Sequence, residues 1–160
     1  MADVHKPEIR RKNMKAISNH DTAIELKISS ILDRLGFEFR TQVKNMPGKP
    51  DFVIDEYRKV IFTHGCFWHH HNCHLFKVPA TRTEFWLKKI NQNVTRDKEN
   101  NQKLISDGWN ILLIWECAIR GRYKLSEQDI SERVEEWICA GNYSAEINIS
   151  GLHHLKDQFS

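Results

Sequence analysis

The sequence predicts an α/β fold, in which a mixed central β-sheet is flanked by helices. Three observations lead to this prediction. Apolar residues recur at helical spacing in three segments, while four shorter segments have the alternation or the continuous apolar run of strands. These segments follow each other as helix, three strands, helix, strand and helix. The apolar run 109–115 is typical of a strand that is buried on both faces, so helices must cover both sides of the sheet.

The chain has 160 residues and a mass of 18.9 kDa, the size of one domain. Its hydrophobic fraction of 40% is enough for a core, which excludes a disordered tail. We expect a basic arm over residues 1–20 and one folded domain over residues 21–160. No apolar run is long enough to cross a membrane, and the N-terminus is too polar for a secretory signal. We therefore expect a soluble cytoplasmic protein.

The first folded element is predicted to be a helix that begins at an Asp21 N-cap and ends before Gly36. It carries one apolar stripe, made of Ile24, Ile28, Ile31, Leu32 and Leu35. From Phe37 to Val43 apolar and polar residues alternate, which predicts a half-buried strand. The two prolines and the glycine of segment 46–50 predict a turn after it.

Two further strands are predicted over 51–54 and 59–63, joined by a polar turn. A long polar helix is expected to start at a Thr83 cap and to run towards Ser106. After the strand 109–115, Ser126 begins a capping-box pattern that predicts the last helix. Cys139 follows the apolar Ile138 on that helix, so we expect Cys139 to be buried in the core.

Loop 64–80 contains two cysteines and five histidines within eleven residues, from His64 to His74. Thiolate and imidazole together favour zinc. Because another cysteine follows the buried strand 109–115, we expect a closed structural site of four ligands: Cys66, His71, Cys73 and Cys117. The alternative is a set of reduced, buried cysteines beside a basic loop.

A second site is predicted where Asp51 opens one strand and Thr63 and His64 end the next. A carboxylate and a backbone carbonyl are hard oxygen ligands that suit Mg²⁺. His69, which is not needed for zinc, could accept a proton from an attacking water. Glu25 could reach the same edge through metal-bound water. Taken singly, each of these residues except Asp51 has an ordinary structural interpretation, such as a solvated helix residue or one more loop imidazole.

The net charge of +3 is mild, but the basic excess lies in the first two-thirds of the chain. Such a distribution suits a polyphosphate ligand, and an ordinary solvated surface explains the charge alone equally well. Two interpretations from other protein classes therefore remain as alternatives. One is a zinc-stabilised DNA-binding module without catalysis, and the other is a hydrolase of small substrates whose zinc is itself catalytic.

Longer runs of the sequence also resemble known proteins. Pro50-Asp51, followed by a strand that carries Phe62-Thr63-His64, resembles the restriction-endonuclease fold, with Phe62 and His64 in place of its usual acid and lysine. The run from Phe62 to Cys73, together with Pro79–Trp86, Trp115-Glu116-Cys117, Lys12-Asn13-Met14 and Asp21–Glu25, closely resembles the very short patch repair (Vsr) endonuclease family. The similarity spans residues 1 to about 140.

This resemblance implies a Mg²⁺-dependent, strand-specific endonuclease that nicks DNA 5′ of the thymine in T·G mismatches. Such mismatches arise by deamination of 5-methylcytosine, here in a CTWGG-type context. It implies that Asp51 and the Thr63 carbonyl hold Mg²⁺, that His69 is the general base, and that Glu25 and His64 support the metal and phosphate. It places structural Zn²⁺ on the same four residues that ligand chemistry selects. It also implies a nucleoid-associated bacterial protein that contacts mismatch-repair proteins, and a monomer suffices to nick one strand.

Aromatic and basic side chains are the expected DNA contacts. Phe67, Trp68 and Trp86 offer flat faces that can wedge between base steps, where a mismatch lowers the cost of deformation. Trp86 is equally well explained as a core residue of its helix, because it forms an apolar stripe with Ile90 and Val94. From the arm, Met14 is expected to press from the opposite groove. The phosphate contacts expected there are Arg10, Arg11, Lys12 and Lys15.

Overall fold

A computed structural model describes residues 22–155, which form one mixed six-stranded sheet flanked by helices. The elements are α1 (Thr22–Leu35), β1 (Arg40–Thr41), β2 (Phe52–Ile54), β3 (Lys59–His64), α2 (Thr83–Ser106), β4 (Asn110–Trp115), α3 (Glu116–Ile119), α4 (Glu127–Ala140), β5 (Ala145–Asn148) and β6 (Gly151–His154). The strands lie in chain order across the sheet; β3, β4 and β5 pair in parallel, and the other neighbours are antiparallel. The predicted mixed α/β architecture is confirmed.

The central strands bury both faces, which explains their continuous apolar sequence. On one face, alternate residues such as Leu112 and Ile114 of β4 pack with the apolar stripes of α1 and α4. On the other face, Ile111 and Leu113 pack with Leu104 of α2 and with the cysteine-bearing loop. Each fully buried side chain of this kind stabilises the fold by about 1.5–3 kcal/mol. The central strands are therefore held between two cores.

The flanking helices follow from their predicted stripes and caps. Ile24, Ile28 and Ile31 of α1 are buried, and Gly36 ends this helix with a φ of +83° that favours glycine. At the start of α4, the Ser126 hydroxyl accepts a hydrogen bond from the Asp129 backbone N–H over 3.0 Å, as its capping sequence predicts.

Two local predictions are wrong. The strand expected over residues 37–43 is reduced to β1, because Gln42 has a φ of +51° and turns the backbone out of the extended conformation. The long helix does begin at Thr83 and end at Ser106, but its N-cap is Arg82, in a left-handed conformation. The Thr83 hydroxyl instead donates to the Pro79 carbonyl over 2.7 Å, which ties the loop to the helix.

The C-terminal part of the domain also differs from expectation. Strands β5 and β6 complete the sheet beyond β4, where the sequence analysis had stopped at the last helix. The predicted burial of Cys139 is wrong, because this side chain is exposed. The inward positions of α4 are Val134, Trp137 and Ile138, and Cys139 lies about 100° further round the helix.

The Asp21 cap and the arm over residues 1–20 lie outside the described residues, so both stay predictions. No helix within residues 22–155 is long and apolar enough to cross a membrane.

Candidate active site and metal centre

Both predicted sites lie at one edge of the sheet, where β3 and β4 end side by side. Parallel pairing places His64, the last residue of β3, opposite Trp115, the last residue of β4. Loop 65–82 leaves the sheet at this edge, and Cys117 follows Trp115 by two residues. Residues that are far apart in sequence therefore meet here for a topological reason.

Asp51 immediately precedes β2 and is nearly buried, with 8% of its surface exposed. Its Oδ2 accepts hydrogen bonds from the Thr63 backbone N–H, over 2.7 Å, and from the Thr63 hydroxyl, over 3.1 Å. The Gln42 side-chain amide lies 3.4 Å from Oδ1. One carboxylate oxygen is thus fixed by Thr63, while the other has, among residues 22–155, a single long contact and is available to a ligand.

The Thr63 backbone suits the same ligand. In an extended strand the N–H and C=O of one residue point to the same side, and the Thr63 N–H points to Asp51. The Thr63 carbonyl therefore faces the Asp51 side as well. A carboxylate and a carbonyl are the hard oxygen donors that a divalent cation such as Mg²⁺ prefers, so these residues fit a hard metal ion.

His69 lies next to this pair and is oriented by a residue that the sequence analysis missed. Its Nδ1 is 2.5 Å from Oδ2 of Asp97 in α2. The rings of His64 and His69 stack face to face, with centroids 3.8 Å apart and planes inclined by 2°. Because Nδ1 is engaged by Asp97, Nε2 is the nitrogen of His69 that can accept a proton. In the sequence, Asp97 is one of several charged residues on a polar helix, and no spacing signal distinguishes it.

His64 is an uncharged member of this group. Burial lowers the pKa of His64 well below its ordinary value, and the neighbouring His69 and His71 lower it further. Its Nδ1 has no hydrogen-bond partner within residues 22–155. A neutral ring stacked on His69 fixes the orientation of His69 without adding a competing charge.

These residues line an open cleft of about 490 Å³ between the sheet edge and α2. Asp51, Thr63, His64 and His69 all contribute to its surface. Glu25 lies in the first turn of α1, is half-buried and does not belong to the cleft lining. The structure thus brings four of the predicted residues together in one cleft, and the role of Glu25, expected to act through metal-bound water, stays a prediction.

The four predicted soft ligands also meet, and they could hold a metal ion. The ligand atoms of Cys66, His71, Cys73 and Cys117 all lie within 4.8 Å of one another. His71 Nδ1 is 3.5 Å from the sulfur atoms of both Cys66 and Cys117, and those two cysteines are fully buried. Three thiols and one imidazole at these separations suit a tetrahedral ion such as Zn²⁺.

The thiols of this Cys₃His cluster are prepared for deprotonation. The hydrogen bond between Cys66 and Cys117 lowers the pKa of the Cys117 thiol to about 4. The same hydrogen bond, reinforced by burial, raises the pKa of Cys66, because one of the two sulfurs retains the shared proton. A metal ion needs thiolates, and this pair readily supplies the first of them.

Neighbouring side chains hold the cluster in place. The Cys66 N–H donates to Oε1 of Glu116 over 3.1 Å, and the His71 N–H donates to the Cys66 carbonyl over 2.9 Å. The His71 ring stacks on Trp115 with centroids 4.0 Å apart, and the Trp115 indole N–H donates to Glu146 over 2.8 Å. The loop is therefore attached to β4 and α3, and the Trp115 ring on which His71 stacks is itself held by β5.

The aromatic residues of the loop form a partly open cluster with α2. Phe67 contacts Trp68 and Trp86 with ring centroids 5.2 and 5.9 Å apart, and Trp68 contacts Trp86 at 5.8 Å. All three side chains are half-buried. Trp86 packs on the loop rather than entering the core with Ile90, which favours the DNA-facing interpretation. The other expected DNA contacts, Met14, Arg10, Arg11, Lys12 and Lys15, lie outside the described residues.

Comparison with known proteins agrees with this geometry. The family described as DNA mismatch endonuclease Vsr matches residues 2–75. The chain is 58% identical over 155 residues to the DNA mismatch endonuclease Vsr of Escherichia coli (strain K12), covering 97% of this chain and 99% of that protein. It is 37% identical over 119 residues to the type II nicking enzyme V.XorIIP of Xanthomonas oryzae, covering 74% and 88% of the two chains. The type II nicking enzyme V.HpaIIP of Haemophilus parainfluenzae is 39% identical, over 68% of this chain and 79% of that protein.

The cleft and these relatives together define a DNA endonuclease. The chain belongs to the Vsr DNA mismatch endonuclease family, which confirms the resemblance found in the sequence.

Proposed function

We propose that this protein nicks one strand of duplex DNA at a T·G mismatch produced by deamination of 5-methylcytosine. The nick lies 5′ of the mismatched thymine in a CTWGG-type context, depends on Mg²⁺ and initiates very short patch repair. The observation that carries this proposal is the cleft itself, where the Asp51–Thr63 oxygen pair lies beside the His69–Asp97 pair. The relation to a DNA mismatch endonuclease supports the choice of substrate.

The finer fold assignment belongs to the same proposal. We assign the domain to the restriction-endonuclease-like fold, in which an acidic residue opens a strand and the next strand completes a metal site. The antiparallel β2–β3 pair with Asp51 at its open end, followed by parallel β4, supports this assignment. His64 occupies the position of the usual lysine.

Asp51 and the Thr63 carbonyl are the residues that hold Mg²⁺ in this mechanism. When bound, Mg²⁺ supplies Lewis-acid polarisation of the phosphodiester. His69 accepts the proton of the attacking water on Nε2, while Asp97 holds Nδ1 and thereby fixes the tautomer. The water oxygen bonds to phosphorus as the bond to the leaving sugar oxygen breaks, and that oxygen takes up a proton from solvent water. Glu25 and His64 keep supporting roles around the metal and phosphate.

Zinc has a structural role in the proposal. The ligands Cys66, His71, Cys73 and Cys117 form a closed set without an open position for a substrate. Bound zinc would connect the loop that carries Phe67, Trp68 and His69 to the end of β4. A loop that deforms DNA needs this support, because its catalytic side chain must keep its position under load.

Mismatch selection is assigned to the aromatic cluster. Phe67, Trp68 and Trp86 present partly open rings beside the cleft, and stacking on such rings contributes about 1–3 kcal/mol per base. A mismatched step is easier to open than a paired one, so part of the selectivity comes from DNA deformation. The arm over residues 1–20 is proposed to hold the opposite groove and the phosphates.

We further propose that the protein acts as a monomer in the bacterial cytoplasm, close to the nucleoid, and contacts mismatch-repair proteins. One cleft per chain is sufficient to cut one strand.

Strand cleavage tests the proposal. A duplex with one T·G mismatch in a CTWGG-type context, labelled separately on each strand, is incubated with protein and Mg²⁺, beside a matched T·A duplex and an EDTA control. We expect one nick, 5′ of the mismatched thymine, in the Mg²⁺ sample alone. Binding without cleavage in Mg²⁺ or Mn²⁺ would instead favour a non-catalytic DNA-binding module.

A further inference from the structure

One face of α2 is polar where a packed helix normally presents apolar residues. The residues at positions i, i+3, i+4, i+7 and i+8 of this face all line the cleft: Asn93, Arg96, Asp97, Asn100 and Asn101. Two of these five residues already have partners within the protein, since Asn93 donates to the Trp68 carbonyl and Asp97 holds His69. The other three make no side-chain hydrogen bond or ion pair within residues 22–155. This polar face of α2 can therefore donate hydrogen bonds to a ligand that enters the cleft.

Asn101 adds a further polar side chain to the lining of the cleft. Only 4% of its surface is exposed, and its amide is not among the fully buried, unpaired polar atoms of residues 22–155, so the amide itself reaches the open cleft. Asn101 also lines the pocket on the other side of the His64–His69 stack. An amide at this position can donate to a polar group that enters the cleft beside these histidines.

Arg96 adds charge at the mouth of the cleft. Lys49 and Arg96 are the residues of the cleft lining that carry a permanent positive charge, Lys49 from the segment before β2 and Arg96 from α2. Arg96 forms no ion pair within residues 22–155, whereas Arg34, Arg40 and Arg120 do. Asn100 is its neighbour one helical turn further on. A guanidinium fork with an adjacent amide matches the oxygens of a phosphate.

We propose that Arg96, with Asn100 beside it, binds a phosphate of the cut strand next to the scissile one, and so aligns the scissile phosphate with His69. Arg96 precedes Asp97, the residue that holds His69. A phosphate gripped by Arg96 is therefore fixed relative to the general base through one short stretch of helix. The inference rests on the proposed nicking function and makes Arg96 a substrate-positioning residue.

The test compares Arg96→Gln, Arg96→Lys and the parent, with Lys103→Gln as a matched control. Lys103 lies on the same helix, is exposed and lies outside the cleft lining. At saturating protein we expect Arg96→Gln to lower the single-turnover nicking rate about 10- to 100-fold. Arg96→Lys should recover much of this loss, and Lys103→Gln should stay within about twofold of the parent. Equal melting temperatures show that all variants are folded.

A chemical change in the DNA gives a readout that a structural role would not move. Single methylphosphonates, which remove one phosphate charge, are placed in turn at the positions that flank the nick. The parent should lose rate strongly at one of these positions, and Arg96→Gln should be nearly insensitive there because the contact is already gone. Equal penalties in the parent and Arg96→Gln at every position would overturn the proposal.

Salt dependence separates this inference from the proposed function. Arg96→Gln should lower the slope of log affinity against log salt by about one unit, because one phosphate contact is lost. If the parent nicks and the slope and rate of Arg96→Gln equal those of the parent, the Arg96 proposal fails and the nickase stands. If the parent binds duplex but never nicks, the nickase fails, and the salt slope still decides the Arg96 contact. A parent that does not bind DNA overturns both.

Discussion

The Cys₃His cluster and the Asp51 cleft lie at the same edge of the sheet, yet they are built in opposite ways. The cluster consists of soft ligands, and its Cys66 and Cys117 are fully buried. The cleft consists of carboxylate, carbonyl and imidazole groups around an open volume of about 490 Å³. A closed site leaves no room for a substrate, while an open one does. Under the proposed function, the two neighbouring sites would divide the work, with the Cys₃His cluster supporting the fold and the cleft carrying the chemistry.

Removing the charge of Asp51 should give the largest effect, because it should abolish the chemistry of the cleft and leave the Cys₃His cluster intact. Asp51→Asn keeps an acceptor for the Thr63 N–H but removes the negative charge that a hard cation requires. We expect the nicking rate to fall by about 10³-fold or more, which corresponds to about 4 kcal/mol of barrier. Melting temperature, zinc content and affinity for mismatched duplex should be unchanged. Cleavage at the parental rate would remove Asp51 from the mechanism.

The converse change is Cys73→Ser in the Cys₃His cluster. We expect loss of bound zinc and a free energy of unfolding lower by about 3 kcal/mol, with activity falling because the protein unfolds. Urea denaturation and metal analysis measure both effects. Cys139→Ser is the matched control, because Cys139 is exposed, and it should change neither quantity. A Cys73→Ser protein that melts like the parent and keeps its zinc would contradict the structural role.

Asp97→Asn sharpens the account of the cleft. The amide can present its N–H₂ to His69 and so stabilise the wrong tautomer, with little change in shape. We expect the single-turnover rate to fall by about 10²-fold at unchanged DNA affinity. Glu99→Gln removes a charge from an exposed position of the same helix and should be silent. If both variants nick equally fast, His69 does not depend on Asp97.

The smallest expected effect concerns the aromatic cluster. Phe67→Ala removes a ring that contacts Trp68 and Trp86, and we expect the preference for T·G over T·A duplex to fall by about tenfold, as for the loss of one stacked ring. Competition binding with the two duplexes measures this preference. The control is Tyr57→Ala, which removes an exposed aromatic from the turn before β3, at the opposite end of that strand from His64. An unchanged preference would show that Phe67 does not contribute to mismatch selection.

Much of the fold could be predicted from the sequence because its signals are local. The stripe of α1, the limits of α2 and the buried strand β4 follow from periodicity. Strands β5 and β6 were missed because they are short and partly polar, although Ala145 and Ile147 alternate inward between polar residues. Cys139 was misplaced because its neighbour Ile138 is buried, and one residue along a helix is a turn of about 100°.

The site residues likewise fall into those that the sequence predicts and those that only the folded structure reveals. Cys66, His71 and Cys73 are close in sequence, and the end of β4 brings Cys117 to them, so residue chemistry and topology suffice. Asp97 could not be predicted, because its role depends on how the polar face of α2 packs against the loop. The unpaired state of Arg96 is likewise visible only after folding. Contacts between side chains that are far apart in the sequence leave no residue spacing from which they could be predicted.

The division of work between the two sites is tested most directly by a magnesium titration of zinc-loaded protein. Nicking of the T·G duplex and the melting temperature are measured together, on protein with one zinc per chain that has been freed of Mg²⁺. We predict no nicking without Mg²⁺, a rate that rises with added Mg²⁺, and a constant zinc content and melting temperature of the free protein. Nicking by the zinc-loaded protein in the absence of Mg²⁺ would contradict the account and make the Cys₃His centre catalytic.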